Sequence, residues 1–172
     1  MSSVSELGFS LALDTSGDWY YIAGVIVSKK PCLDLSSHIA RINRRRRWKI
    51  VAQILDFIEF NGYGVCLLAN LRSKIRTIIK YIANKNTAWR IALRFELVRL
   101  MNHLRSKGFW PIDVIFADNE FLVFKYLLST LFRVKHIGIG KNEYVALADA
   151  LAYTNFRNRK LLKRYKRIKE LT

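Results

Sequence analysis

Long apolar runs are what this chain most plainly lacks. No stretch approaches the ~20 residues that a membrane-spanning helix needs, although 51% of its 172 residues are hydrophobic. That apolar content is free to build a sizeable core, and the length fits one domain, residues 1–172. The opening Met1-Ser2-Ser3-Val4-Ser5-Glu6 has neither the basic start nor the apolar segment of a secretory leader. The expectation is a soluble, cytoplasmic protein with no membrane partner. Cysteine is scarce: Cys32 and Cys66 lie in no paired motif, which favours free thiols over a disulfide or a zinc site. His38, His103 and His136 form no ligand-spaced pair. There is no Gly-x-x-x-x-Gly-Lys loop for a nucleotide phosphate, Gly138-Ile139-Gly140 lacks the third glycine of a dinucleotide loop, and no Gly-x-Ser-x-Gly nucleophile turn occurs.

Acidic residues are also few. Thirteen Asp plus Glu face thirty Lys plus Arg, a net charge of +17, with a pI near 10.2. Such an excess points to a polyanionic partner, with nucleic acid (DNA or RNA) the leading candidate and a merely solubilising basic surface the alternative. Two clusters stand out. Arg44-Arg45-Arg46-Arg47 followed by Trp48-Lys49 is the denser, and its tryptophan could stack on a base. Residues 157–172 read as a basic helical extension carrying Arg157, Arg159, Lys160, Lys163, Arg164 and Arg167, with Leu161, Leu162, Tyr165 and Ile168 as one apolar stripe. It is either a solvated helix end or a phosphate-contacting arm.

Hydrophobic periodicity predicts an α/β chain. Residues 7–14 alternate as a strand, Thr15-Ser16-Gly17-Asp18 is turn chemistry, and Trp19 to Val27 returns as the second strand of a hairpin. Pro31 and the polar stretch to Ser37 break the chain, and a short third strand is expected over His38 to Ile42. A helix over 46–60, a strand over 63–68 and helices around 71–83 and 87–106 follow. A strand from Pro111 to Ala117, apolar on both faces, belongs at the sheet centre. A helix over 120–132, a strand over 134–139 and a long basic final helix from Glu143 complete the order.

Asp149 lies in Val145-Ala146-Leu147-Ala148-Asp149-Ala150-Leu151-Ala152-Tyr153, with no Lys or Arg within four residues. A carboxylate on such an apolar face is costly unless a cation meets it. Asp14 and Asp118 share the predicament, each ending an apolar strand. Carboxylates far apart in sequence converge when each sits at a strand or helix end on one edge of a sheet, where ligands gather in open α/β folds. Such a cluster suits divalent metal and phosphodiester chemistry. Two of the aspartates also have a local explanation: Asp14 could accept from Ser16 or Gly17 in the turn, and Asp118 could cap the helix after it; Asp149 has none, and a distant arginine is its alternative partner.

Asp14-Thr15-Ser16-Gly17 before a hairpin strand, Asp118 after an apolar strand, and Leu147-Ala148-Asp149-Ala150-Leu151-Ala152 together resemble the ribonuclease H-like superfamily. The last motif is also similar to that of RuvC-type Holliday-junction resolvases. The resemblance implies a mixed sheet flanked by helices, dependence on Mg²⁺ or Mn²⁺, nuclease or strand-transfer chemistry, and metal ligation and catalysis by Asp14, Asp118 and Asp149. The chain departs from the pattern. Where another acid is usual it reads Ser36-Ser37-His38, and the position three before Asp149 is Ala146. Asp56, Glu59, Glu96 and Glu120 are the candidate replacements. The reading is therefore a metal-dependent nuclease, with a resolvase- or transposase-like enzyme (which would act as a homodimer) and a binding module without catalysis as alternatives.

Overall fold

Alternation divides the first strand, β1 (Phe9–Ser16), between two faces. Leu11 and Leu13 enter one core and Ala12 the other, so β1 is buried on both sides. The structure, a computed structural model, describes residues 8–32 and 38–172. Strands β2 (Tyr21–Val27) and β3 (Gly62–Leu68) continue from β1 as an antiparallel meander, with Asp14 opposite Ala23 and Ala23 opposite Cys66. On the far side of β1, β4 (Ile112–Ala117) pairs in parallel, and β5 (His136–Ile139) pairs parallel to β4. With β6 (Ile168–Leu171) beside β3, the sheet is mixed and six-stranded, in the order β5-β4-β1-β2-β3-β6.

Helices cover both faces. Helix α1 (Arg44–Asn61) begins at Asn43, whose side chain accepts from the Arg45 N–H at 3.1 Å. Its Val51, Ile54, Leu55 and Ile58 meet α5 (Glu143–Arg157) and the β1–β3 face that carries Ala12, Ala23 and Val25. Glycine at position 64 lets α5 lie close to β3, since a Cβ there would stand 2.9 Å from a Leu151 methyl. The opposite face holds α2 (Leu71–Ile78), α3 (Lys85–Ser106) and α4 (Lys125–Phe132) around Leu93, Leu97, Leu100, Phe121 and Leu128. Among the described residues no helix is long and apolar enough to cross a membrane.

Three expectations are corrected. The segment expected as a third strand, His38 to Ile42, is a 3-10 turn at Ile39–Arg41. The Ile39 N–H goes to the Asp149 carboxylate, and the N–H groups of Arg41 and Ile42 go back to His38 and Ile39, so no ladder can form. The expected helix over 120–132 is a 3-10 segment, Asn119–Phe124, followed by α4. The long basic C-terminal helix is also absent. Helix α5 stops at Arg157, a single turn α6 (Arg159–Leu162) follows, and the chain then turns into β6. Glu59 causes the reversal: its carboxylate accepts the backbone N–H groups of Lys166 and Arg167 at 3.1 and 2.8 Å, and β3 offers an edge on which Ile168 is buried. The polar stretch 33–37 and the first seven residues, on which other expectations rest, lie outside the described residues.

The β1–β2 turn matters for the site. Gly17, Asp18 and Trp19 all have positive φ, at 62°, 54° and 68°. A Cβ on Gly17 would stand 3.0 Å from the Phe156 ring, so this position demands glycine on both counts. An aromatic residue in the left-handed region costs on the order of 1 kcal/mol. Burial offsets it: the Trp19 indole makes edge contacts with Trp89, Phe121 and Phe124 at 5.0 to 5.8 Å between ring centroids. Trp19 thus anchors the turn whose preceding residues line the cleft described below. Trp19→Ala is expected to destabilise the fold by about 3–5 kcal/mol, read as a lower urea midpoint; a loss under ~1 kcal/mol would contradict this anchoring role.

Candidate metal centre

The parallel pairing of β1 with β4 brings two aspartates to one end of the sheet. Leu13 lies opposite Ala117, and the next rung is the Asp118 N–H donating to Leu13 O at 3.2 Å. Asp14 and Asp118 therefore leave adjacent strands at the same level, outside their carboxyl ends. Asp14 points to the face that α5 covers, because its neighbours Leu13 and Leu11 point to the other. Helix α5 starts at Asn142, whose side chain accepts from Val145 N–H at 2.8 Å, and its second turn delivers Asp149 to the same place. The small residues Ala148, Ala150 and Ala152 are buried, letting the helix approach the sheet.

His38 completes the group. One donor atom each from Asp14, His38 and Asp118 lies within 4.8 Å of the others. His38 Nδ1 is 3.7 Å from Asp149 Oδ2, and that oxygen also accepts the Ile39 N–H at 2.8 Å. Glu120 stands at the rim, accepting from the Thr15 hydroxyl. Together with Ser16, Gly17, Arg41, Tyr153 and Arg157 these residues line a cleft of about 340 Å³.

The local explanations for the aspartates do not hold. Asp118 caps nothing: its side chain makes no bond to the 3-10 segment that follows, and its buried Oδ1 has no hydrogen-bond partner. Asp14 is 3% exposed, and it accepts from the N–H of Thr15 at 2.7 Å, not from Ser16 or Gly17. Among the described residues no Lys or Arg pairs with Asp14, Asp118, Asp149 or Glu120. Burial, then the charges of Asp149 and Asp118, push the Asp14 carboxyl well above the ordinary carboxylate range. Burial also raises Asp149, against the opposing pull of the Ile39 N–H and His38, and it raises Glu120. An orphaned carboxylate oxygen among crowded oxygen donors and one imidazole fits a divalent cation.

Of the four candidate replacement acids, only Glu120 reaches the cleft. Asp56 accepts from the Tyr165 hydroxyl and Glu59 holds the entry to β6. Glu96, 2% exposed, is paired by Lys74 and Arg99 between α2 and α3. His38 has no ligand-spaced partner in the sequence, and its place, where another acid is usual, is the signal for it.

The basic candidates divide. Arg44, Arg45, Arg46 and Lys49 are exposed on the first turns of α1. Arg47 is committed internally, donating to the Tyr153 hydroxyl at 2.7 Å and to the carbonyls of Ala40 and Ile42 at 2.9 and 3.0 Å. Trp48 is partly buried, packed on Tyr153 against the core. Arg157 lines the cleft, while Arg159 is paired with Glu170 and Arg167 donates to Gly62 O. Lys160, Lys163 and Arg164 are exposed.

No protein-family model, curated protein or solved structure matches this chain.

The charge crowding gives a stability prediction. A carboxyl whose folded-state pKa is raised favours folding below its unfolded-state pKa, and that contribution is lost as pH rises through the folded value. The metal-free protein should therefore lose stability at this site as pH rises above the ordinary carboxylate range. At pH 7 without metal, Asp14→Asn should raise the unfolding temperature by on the order of 5 °C. Mn²⁺ should then stabilise the wild type and leave the variant nearly unmoved. A metal-free variant that melts below the wild type would contradict the account.

Proposed function

We propose that this protein is a metal-dependent nuclease of the ribonuclease H-like superfamily, hydrolysing phosphodiester bonds of a nucleic acid at the cleft formed by Asp14, Asp118 and Asp149. The observation that carries the proposal is the convergence of Asp14, His38 and Asp118 donor atoms within 4.8 Å, with one Asp118 oxygen left unpartnered in the interior. The strand order, a β1–β3 meander extended in parallel by β4 and β5, is compatible with that fold. A net charge of +17 supplies the attraction for a polyanion.

Asp14, Asp118 and Asp149 would hold Mg²⁺ or Mn²⁺, with His38 and Glu120 placed to add a donor; carboxylates suit both ions, whereas an imidazole donor favours Mn²⁺ over Mg²⁺. When bound, the cation supplies the positive charge that offsets the phosphodiester and activates water. The chain's own residues do the rest. Asp14 and Asp118 are fixed by adjacent strands, so their spacing needs no reorganisation at the moment of reaction. Arg47 pins the 3-10 turn at Ala40 and Ile42 against Tyr153, and the turn in turn sets His38 beside Asp149. Arg41 and Arg157 line the cleft and are placed to meet phosphate oxygens. Glu120 brings a further carboxylate to the same rim and would stand in for the acid absent near Ser36.

The test is cleavage of labelled linear duplex, single strand, RNA–DNA hybrid and four-way junction with Mn²⁺ or Mg²⁺ present. Asp14→Asn and Asp149→Asn should each slow cleavage by about 100-fold or more, and chelation should stop it, while affinity for the substrate changes little. Preference for the junction would move the reading to a resolvase. Unchanged cleavage in both variants would overturn it.

A further inference from the structure

A second hollow, on the α3 side of the sheet, borders the carboxylate cleft at Glu120. This hollow, of about 420 Å³, is lined by Trp19, Asn86, Trp89, Arg90, Val123, Phe124 and the same Glu120 that borders the cleft. A third, of about 500 Å³, continues along α3 and α4 and shares Arg90 and Val123 with the second. It adds Arg94 and Tyr126. The three hollows therefore lie in succession, each sharing a bordering residue with the next, from Asp14 past Glu120 to the outer face of α3.

Its lining is unusual for a face that only meets water. Tyr126 is 82% exposed and Val123 72%. Trp89 is held in place, with the Trp19 ring at its edge and the Arg72 guanidinium 5.6 Å from its centroid, itself paired with Asp18. Arg90 and Arg94 are exposed and, among the described residues, neither is in a salt bridge. Aromatic rings alternating with unpaired arginines along a groove are what an unpaired nucleic-acid strand needs. Bases stack on the rings, whatever their identity, and phosphates meet the cations.

We infer that a single-stranded segment of DNA or RNA lies in this groove, with bases on Trp89 and Tyr126 and phosphates at Arg90 and Arg94, so that the chain passes over Glu120 into the carboxylate cleft. The inference rests on the nuclease reading for the direction of the path. The cations Arg90 and Arg94 beside the rings of Trp89 and Tyr126 favour a single strand whether or not the carboxylates cleave. A rigid duplex suits them less, because its bases are already stacked on one another and cannot also cover the rings.

Binding is measured in EDTA, so that the outcome is independent of whether the carboxylates catalyse. The probes are fluorescent oligothymidylate and oligouridylate of about 15 nucleotides, and a blunt duplex of the same length. Both single strands should bind more tightly than the duplex and quench tryptophan emission, the quenching being lost in Trp89→Phe. A difference between the two single strands assigns DNA or RNA. Tyr126→Ala, a surface change that leaves the core intact, should weaken single-strand binding about tenfold. The Arg90→Gln/Arg94→Gln variant should flatten the slope of log affinity against log salt by about 1.4, at ~0.7 per phosphate contact. Equal affinity for single strand and duplex, with both surface variants unchanged, would overturn the inference while leaving metal-dependent cleavage standing. A dimer in sedimentation that Tyr126→Ala dissociates, with binding unaffected, would overturn it too, and would assign the face to a second copy of the chain. Conversely, intact single-strand binding with no cleavage would sink the nuclease reading alone.

Discussion

The parallel register between β1 and β4 is the constraint on which the site depends. It sets Asp14 and Asp118 side by side at the end of a sheet that is buried on both faces. Helix α5, drawn close by Ala148 and Ala152, then has nowhere to put Asp149 except against them. Like charges taken out of water repel strongly and lose hydration as well. The thirty Lys and Arg of the chain do nothing to relieve this, because none of those in the described residues pairs with the cluster. A fold that keeps such an arrangement is complementary in charge to a cation. A divalent ion is the largest local charge such a site can acquire, and it reverses the sign of the problem.

A second layer holds the geometry. The Asp149 carboxylate organises the 3-10 turn through the Ile39 N–H, and Arg47 clamps the same turn from the other side through Ala40, Ile42 and Tyr153. His38 reaches the cleft because both contacts are made. Arg47 is thus a positioning residue in a cluster whose other members face solvent. An Arg-to-Lys change there would lose the fork that meets a hydroxyl and two carbonyls at once.

Much of the fold was legible because its elements bury one face at a regular period. Val51, Ile54, Leu55 and Ile58 announce α1, and the apolar run before Asp118 announces a central strand. What escaped the sequence depended on distant partners. The stripe Leu161, Leu162, Tyr165 and Ile168 has helical spacing, and its end becomes a strand through Glu59, more than a hundred residues earlier, and the edge of β3. His38 to Ile42 looks strand-like until its one buried N–H is claimed by Asp149. The aspartates were legible as a group because each lacks a local partner. His38 was not, since rules of ligand spacing recognise neighbours in sequence, and this imidazole has its partners on β1, β4 and α5. No motif in the sequence marks Arg90 and Arg94, which border a hollow only because α4 lies beside α3.

The most direct test of the metal centre is an anomalous difference map from crystals grown with Mn²⁺. The account predicts a peak bounded by Asp14 and Asp118, with carboxylate oxygens at about 2.0–2.3 Å and with His38, Asp149 or Glu120 completing the shell. No peak there, with Arg41 or Arg157 instead swung in to pair the carboxylates, would contradict it.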